Sequence, residues 1–101
     1  MNKIMEIIEQ HISDEEFSIE ELGKETAMSR GQIYKKLKAL TGKSPSLFLR
    51  SVRLAKAKKM IKDGKGVISE ISYSVGFGSP AYFTKCFNEE FGYPPSELHN
   101  L

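Results

Sequence analysis

Residues 29–46 read SRGQIYKKLKALTGKSPS, and residues 79–96 read SPAYFTKCFNEEFGYPPS. At an offset of 50 the two stretches share Ser29 and Ser79, Lys35 and Lys85, Gly42 and Gly92, Pro45 and Pro95, and Ser46 and Ser96. At the same offset Ile33 falls on Phe83 and Leu37 on Phe87. Each stretch opens on a Ser able to cap a helix, carries apolar residues at i and i+4, and stops at a Gly suited to a left-handed C-terminal turn. Just upstream, Ile19, Glu21 and Leu22 recur as Ile68, Glu70 and Ile71 at an offset of 49. The extra residue falls in the second copy's turn, Gly76-Phe77-Gly78. Each copy is therefore a short helix, a tight turn and a longer helix, which is the organisation of a helix-turn-helix unit. Two helix pairs could also form a simple bundle. A shared cap, Lys and stop favour two equivalent tasks over accidental packing.

Outside these copies the punctuation divides the chain into helix-sized pieces. Ile4, Ile7, Ile8 and Ile12 recur at helical spacing and predict an amphipathic helix over about 3–12. Ser18 to Glu21 is a capping box opening a helix that ends near Ala27, and Ser29 to Gln32 is a second box. Ser44-Pro45 is a cap followed by Pro at the first helical position, starting a long helix to about Lys62. Ile68 to Val75 makes a short fifth helix, and Ser79-Pro80 starts a sixth that runs to about Phe91. Pro94-Pro95-Ser96-Glu97 begins a final short helix. No segment alternates apolar and polar residues for long. The expected fold class is all-α: seven helices, with two helix-turn-helix units joined by a long linker helix. The expected boundaries are a single domain over 1–101, with a first unit at about 17–43, a linker helix at about 45–62, a second unit at about 67–93 and a C-terminal helix at about 95–101.

At 101 residues the chain makes one compact domain, or two very small lobes sharing a helix. No run of about 18 apolar residues exists, so nothing is expected to span a membrane. The N-terminus lacks the apolar stretch and small-residue cleavage site of a secretory signal. One Cys excludes an internal disulfide framework and fits a reducing compartment. His11 and His99 lack local ligand spacing, so neither a metal site nor a cofactor is expected. The net charge of +2 conceals a strong segregation. Residues 1–28 hold two basic and eight acidic side chains, net −6; residues 29–65 hold twelve basic and one acidic, net +11; residues 66–101 hold one basic and four acidic, net −3. A basic block between acidic flanks points to an anionic partner, with nucleic acid leading. The plain alternative is a solvated helical face.

In the third helix Ile33, Leu37 and Leu40 form an inward stripe, leaving Gly31, Gln32, Tyr34, Lys35 and Lys38 outward or sideways. Lys and polar groups near a helix N-terminus suit guanine acceptors and phosphates. Gly31 either lets the backbone approach a duplex or merely sits near a cap. In the sixth helix Phe83, Cys86 and Phe87 point inward, leaving Pro80, Ala81, Thr84 and Lys85 outside. Ala81 and the Thr84 methyl can touch a thymine methyl, and Lys85 can reach a guanine or a phosphate. Cys86 reads as a core residue. The linker helix carries Arg50, Arg53, Lys56, Lys58, Lys59 and Lys62 around an apolar set of Leu47, Phe48, Val52, Leu54, Ala55, Ala57 and Ile61. Its charges either line phosphates or solvate a rod of roughly 27 Å. Asp14, Glu15, Glu16, Glu20 and Glu21 suit helix N-termini better than acid–base work, since no base, nucleophile or phosphate loop accompanies them.

These residues resemble a known family. Phe17 to Leu98 is similar to the DNA-binding domain of AraC/XylS-type transcription regulators. SRGQIYKKLKALTGKSP (Ser29–Pro45) resembles the family's first recognition helix and the start of its linker. LRSVRLAKAKKMI (Leu49–Ile61) resembles the linker's Arg-x-x-x-Ala pattern, with Arg53 and Ala57 in place. ISEISYSVGFGSPAYFTKCFNEEFGYPPSEL (Ile68–Leu98) resembles the family signature, departing from it at Ser72, usually Ala, and at Asn88, usually basic. The resemblance implies a bacterial cytoplasmic regulator that binds double-stranded DNA in two adjacent major grooves; separately, the missing catalytic constellation leads to the expectation that the chain is not an enzyme. The resemblance also implies contact with RNA polymerase. Family members usually carry a separate sensor or dimerisation domain, so the chain is expected to be either a stand-alone regulator or a fragment of a longer parent chain bearing that domain. The resemblance maps the base-contacting positions to Gly31, Tyr34 and Lys35 in the first unit and to Pro80, Ala81, Thr84 and Lys85 in the second. It makes Ser29, Arg30, Lys38 and Ser79 phosphate contacts, and Gln32 is expected beside them. The competing expectation is a protein-interaction module that reuses the helical fold, with its acidic N-terminal helix as the contact.

Overall fold

A computed structural model describes residues 2–100. Six α-helices follow one another: α1 (Asn2–Gln10), α2 (Ile19–Thr26), α3 (Arg30–Thr41), α4 (Pro45–Lys62), α5 (Ile68–Ser74) and α6 (Pro80–Phe91). A 3-10 helix closes the series at Pro95–Asn100. No strand occurs among the described residues. The expected seventh helix is thus present as a 3-10 helix. Six residues are too few to nucleate an α-helix comfortably, and the segment is held by an i to i+3 bond from the Glu97 N–H to the Pro94 carbonyl at 3.1 Å. Leu101, expected in that helix, lies outside the described residues.

The caps explain the boundaries. Ser18, Ser29, Ser44 and Ser79 each sit in extended backbone and accept a hydrogen bond from the N–H three residues on. At Ser29 the box is reciprocal: Ser29 N–H donates to Oε1 of Gln32 at 2.8 Å, and Gln32 N–H donates to Oγ of Ser29 at 3.2 Å. Gly42 and Gly92 end α3 and α6 in the left-handed region, at φ 75° and 84°. α1 stops short of the expected 12, and Ile12 leaves the helix.

That departure matters because the molecule has two cores. The first gathers Ile4, Ile7, Ile8, Phe17, Ile19, Leu22, Ile33 and Leu37. The second gathers Leu54, Ala57, Ile61, Ile71, Val75, Phe77, Phe83, Cys86, Phe87 and Leu98, together with Ile12 from the far end of the chain. α4 is the shared wall: it packs on α3 on one side and on α5, α6 and the 3-10 helix on the other. Val52 touches both cores. The result is an elongated body of 41 × 23 × 22 Å, two small lobes on one rod.

Two expected side-chain placements are corrected. Leu40 does not join the inward stripe and is 56% exposed. Ile33 and Leu37 fill the small first core, and α3 runs one turn beyond it. Arg53 neither lines a phosphate nor solvates the rod. It is 6% exposed, and it donates from Nη1 to the carbonyls of Ile12 (2.7 Å) and Val75 (2.8 Å) and from Nη2 to the carbonyl of Asp14 (3.0 Å). A buried guanidinium is tolerable when its fixed fork of donors is matched by acceptors. Burial pulls its pKa down while the carboxylates of Asp14 and Glu15 oppose the shift, and a guanidinium stays charged regardless.

Candidate nucleic-acid interface

In both units the second helix is held by its inner stripe and presents the opposite face to solvent. Ile33 and Leu37 anchor α3, and Phe83, Cys86 and Phe87 anchor α6, all essentially inaccessible. With a period of 3.6 residues, the residues between them must turn outward. Gly31, Gln32, Tyr34, Lys35 and Lys38 are exposed on α3, as are Ala81, Thr84 and Lys85 on α6. Pro80 and Ser79 are half-buried. Of the residues expected from the sequence, each group thus gathers on the outer face of its own helix, Lys38 in the last turn of α3 and the others at the cap or in the first two turns.

The polar members differ in how free they are. The Ser29 and Ser79 hydroxyls accept cap bonds, and Oε1 of Gln32 accepts from Ser29. A hydroxyl that accepts can still donate, and the Gln32 amide retains its NH2. Arg30 pairs with Glu20, Nη1 to Oε1 at 3.0 Å. Glu20 is held below its ordinary value of 4.5 by its own backbone N–H first, then by the Ser18 hydroxyl and the Arg30 guanidinium. A phosphate reaching Arg30 therefore has to compete with a carboxylate already there.

Gly31 faces open space: a Cβ added to it would meet no atom within 4 Å. Packing does not require a glycine at that position. Gly23 contrasts with it, since its added Cβ would stand 2.8 Å from the Met28 carbonyl oxygen, where the α2–α3 turn passes close.

Tyr82 is absent from the residues expected from the sequence. It is 52% exposed in the first turn of α6, at the position that Gln32 takes in α3. Its neighbour Phe83 carries the stripe, so the same periodicity could have turned Tyr82 outward. It lines a cleft of about 410 Å³ with Leu47, Arg50 and Phe77, between the two lobes. Among the described residues no cluster of metal-ligating side chains exists, and no helix is long and apolar enough to cross a membrane.

Comparison with known proteins agrees with this geometry. A family model described as a helix-turn-helix domain matches residues 22–100, and the chain belongs to that family, in its AraC/XylS-type branch. The chain is 37% identical over 100 residues to histidine kinase P4 of Formosa agariphila, covering 99% of this chain and 7% of that protein. It is 30% identical over 98 residues to the transcriptional activator RhaS of Salmonella schwarzengrund, covering 97% of this chain and 35% of that one. A crystal structure of a probable AraC family transcriptional regulator from Rhodopseudomonas palustris superposes with a TM-score of 0.78 at 29% identity, covering 98% and 93% of the two chains. The chain thus spans a small part of the curated relatives it matches.

Proposed function

We propose that this chain is the DNA-binding domain of a transcription regulator and reads a specific duplex by inserting α3 and α6 into adjacent major grooves. The observation that carries this is the repetition of one helix, from Ser cap to left-handed Gly, with its apolar stripe buried and its polar face open in both copies. In α3, Gly31, Tyr34 and Lys35 face the bases. Lys35 donates to guanine acceptors, and the Tyr34 ring packs on a base or methyl. In α6, Pro80, Ala81 and Thr84 offer apolar contact to thymine methyls, and Lys85 offers a charge. Ser29, Arg30, Gln32, Lys38 and Ser79 hold phosphates and set register without reading sequence.

The protein works in the cytoplasm as part of a longer chain bearing a sensor or dimerisation domain, and it contacts RNA polymerase. The short share of its relatives that it matches supports the longer parent. This domain serves as a binding module and not as an enzyme, a reading supported by the helix-turn-helix family model that it matches.

Selection of bound sequences from a random duplex pool, followed by footprinting, tests this function. Two engaged units protect one face of the duplex over successive major grooves, repeating about every 10 base pairs. Affinity falls steeply with salt as counterions are released. Protection of a single groove would confine reading to the first unit, and salt-independent binding would sink the DNA-binding function altogether.

A further inference from the structure

We infer that Arg53 is a positioning residue for two-groove recognition: its guanidinium sets the angle between the two helix-turn-helix units. This role rests on the two-groove reading and belongs to a residue that touches no DNA.

The three carbonyls that Arg53 holds come from both ends of the molecule. Ile12 and Asp14 belong to the connection between α1 and α2, and Val75 is the C-terminal cap of α5. α1 packs on α2, and α2 on α3, so the first connection is tied to the first recognition helix, while the Ile12 side chain within it is seated in the second core. α5 packs on α6, so the second cap moves with the other. Arg53 stands on α4 between them. Both units rest on α4, and Ile12 and Val52 already join the two cores by packing. To this non-directional contact a planar fork bonded to both units adds a fixed angle, because its donors are fixed relative to one another.

The site is built from the other side as well. Gly76 follows Val75 at φ 93°, and a Cβ there would fall on Nη1 of Arg53 and against the Ile12 carbonyl. The turn of the second unit is thus shaped to let the guanidinium through. Elsewhere between the units the polar contacts are long: Lys43 to Glu90 at 3.9 Å, and Arg50 Nη1 to Cys86 Sγ at 3.9 Å. No other tie between the units among the described residues combines burial with short bonds to both.

Two measurements test the inference on Arg53→Lys, Arg53→Met and Gly76→Ala. The first compares affinity for the duplex selected by the parent chain with affinity for the same duplex scrambled in its second half. The second measures the distance distribution between spin labels at Ala39→Cys and Glu89→Cys, two exposed positions on α3 and α6, without DNA. The variants should lose roughly tenfold or more on the full duplex, stay within about threefold on the half-scrambled one, and show a broadened distance distribution. Lys keeps the buried charge and so serves where Met does not fold. Equal losses on both duplexes with an unchanged distribution would reduce Arg53 to a stability residue and overturn its positioning role. A parent chain indifferent to the second half-site would instead overturn two-groove binding, and the label distances would then decide on Arg53 alone.

Discussion

In the first unit the helix after the turn carries Arg30, Lys35, Lys36 and Lys38, whereas the corresponding positions of the second hold Pro80, Lys85, Cys86 and Asn88. Inside, the order reverses. Ile33 and Leu37 share a mostly aliphatic core with Ile4, Ile7, Ile8 and Leu22, in which Phe17 is the buried aromatic. Phe83 and Phe87 instead sit in an aromatic chain, with Phe77 at 5.2 Å from Phe83 and Phe91 and Tyr93 at 4.6 and 5.8 Å from Phe87. The turns differ too. The first closes through Ala27 at φ 58°, and the second, one residue longer, through Gly76 with Phe77 tucked into the core. The Ser cap, stripe and Gly stop of the second helix are common to both, whereas only the first unit has a side-chain cap on its first helix, from Ser18. One frame thus carries different interiors and different surfaces: the first unit presents the more basic second helix, and the second encloses the more aromatic core.

The strongest way to break the comparison is through the cores. Phe87→Ala should lower stability by about 3–5 kcal/mol, and Leu37→Ala by about 2–5, read from denaturant midpoints. In a domain of this size either is a large share of the total. A Phe87→Ala protein melting within about a degree or two of its parent would mean that the aromatic chain is not what holds the second unit.

Charge offers the next test. Lys35→Ala should weaken cognate binding by about 1–3 kcal/mol and leave scrambled duplex nearly untouched. Lys38→Ala, one turn on, should weaken both alike and reduce the salt slope by about one. Equal losses for Lys35→Ala on both duplexes would make Lys35 a phosphate contact and would require α3 to lie in the groove in a different rotation.

Glycines sharpen the difference between the turns. Gly23→Ala drives a Cβ toward the Met28 carbonyl and should cost about 1–3 kcal/mol. Its counterpart in the second unit is Ser72, buried and donating to the Ser69 carbonyl at 2.7 Å, where the longer turn leaves room for a side chain. Gly31→Ala should instead stabilise α3 by up to about 1 kcal/mol. If it also lowers duplex affinity, close backbone approach explains the glycine. If affinity is unchanged, the position is only a neighbour of the cap.

The smallest effect concerns Glu20. Its folded pKa lies below 4.5, so its contribution to stability is present above that pH and is lost as pH falls through the depressed value. The parent should show a slight extra loss below pH 4.5 in acid titration that Glu20→Gln does not show. At neutral pH the same substitution should raise duplex affinity by releasing Arg30.

What the chain announced in its sequence was local. Caps, stops and i, i+4 stripes depend on residues within a turn of each other, so both units, their linker and the outward faces of α3 and α6 could be read directly. Arg53 could not. It is one of six basic residues on α4, and nothing in their spacing says which one meets backbone carbonyls from residues 12, 14 and 75. The Arg30–Glu20 pair escaped for a related reason, since it joins two helices across a turn. Leu40 kept the right period on a helix longer than its core. The 3-10 geometry of Pro95–Asn100 was decided by shortness, not by pattern.

The internal repeat invites the thought that the chain is two modules that could be cut apart and reused. The shared rod forbids it. A cut at Gly64 would leave α4 on the first fragment with Leu54, Ala57 and Ile61 bare, and would strip the second fragment of the wall against which Phe83 and Phe87 close. Ile12 would be stranded on the wrong piece. Copying a unit is therefore simple for a gene, but separating the copies again is not, because each has surrendered part of its interior to the other.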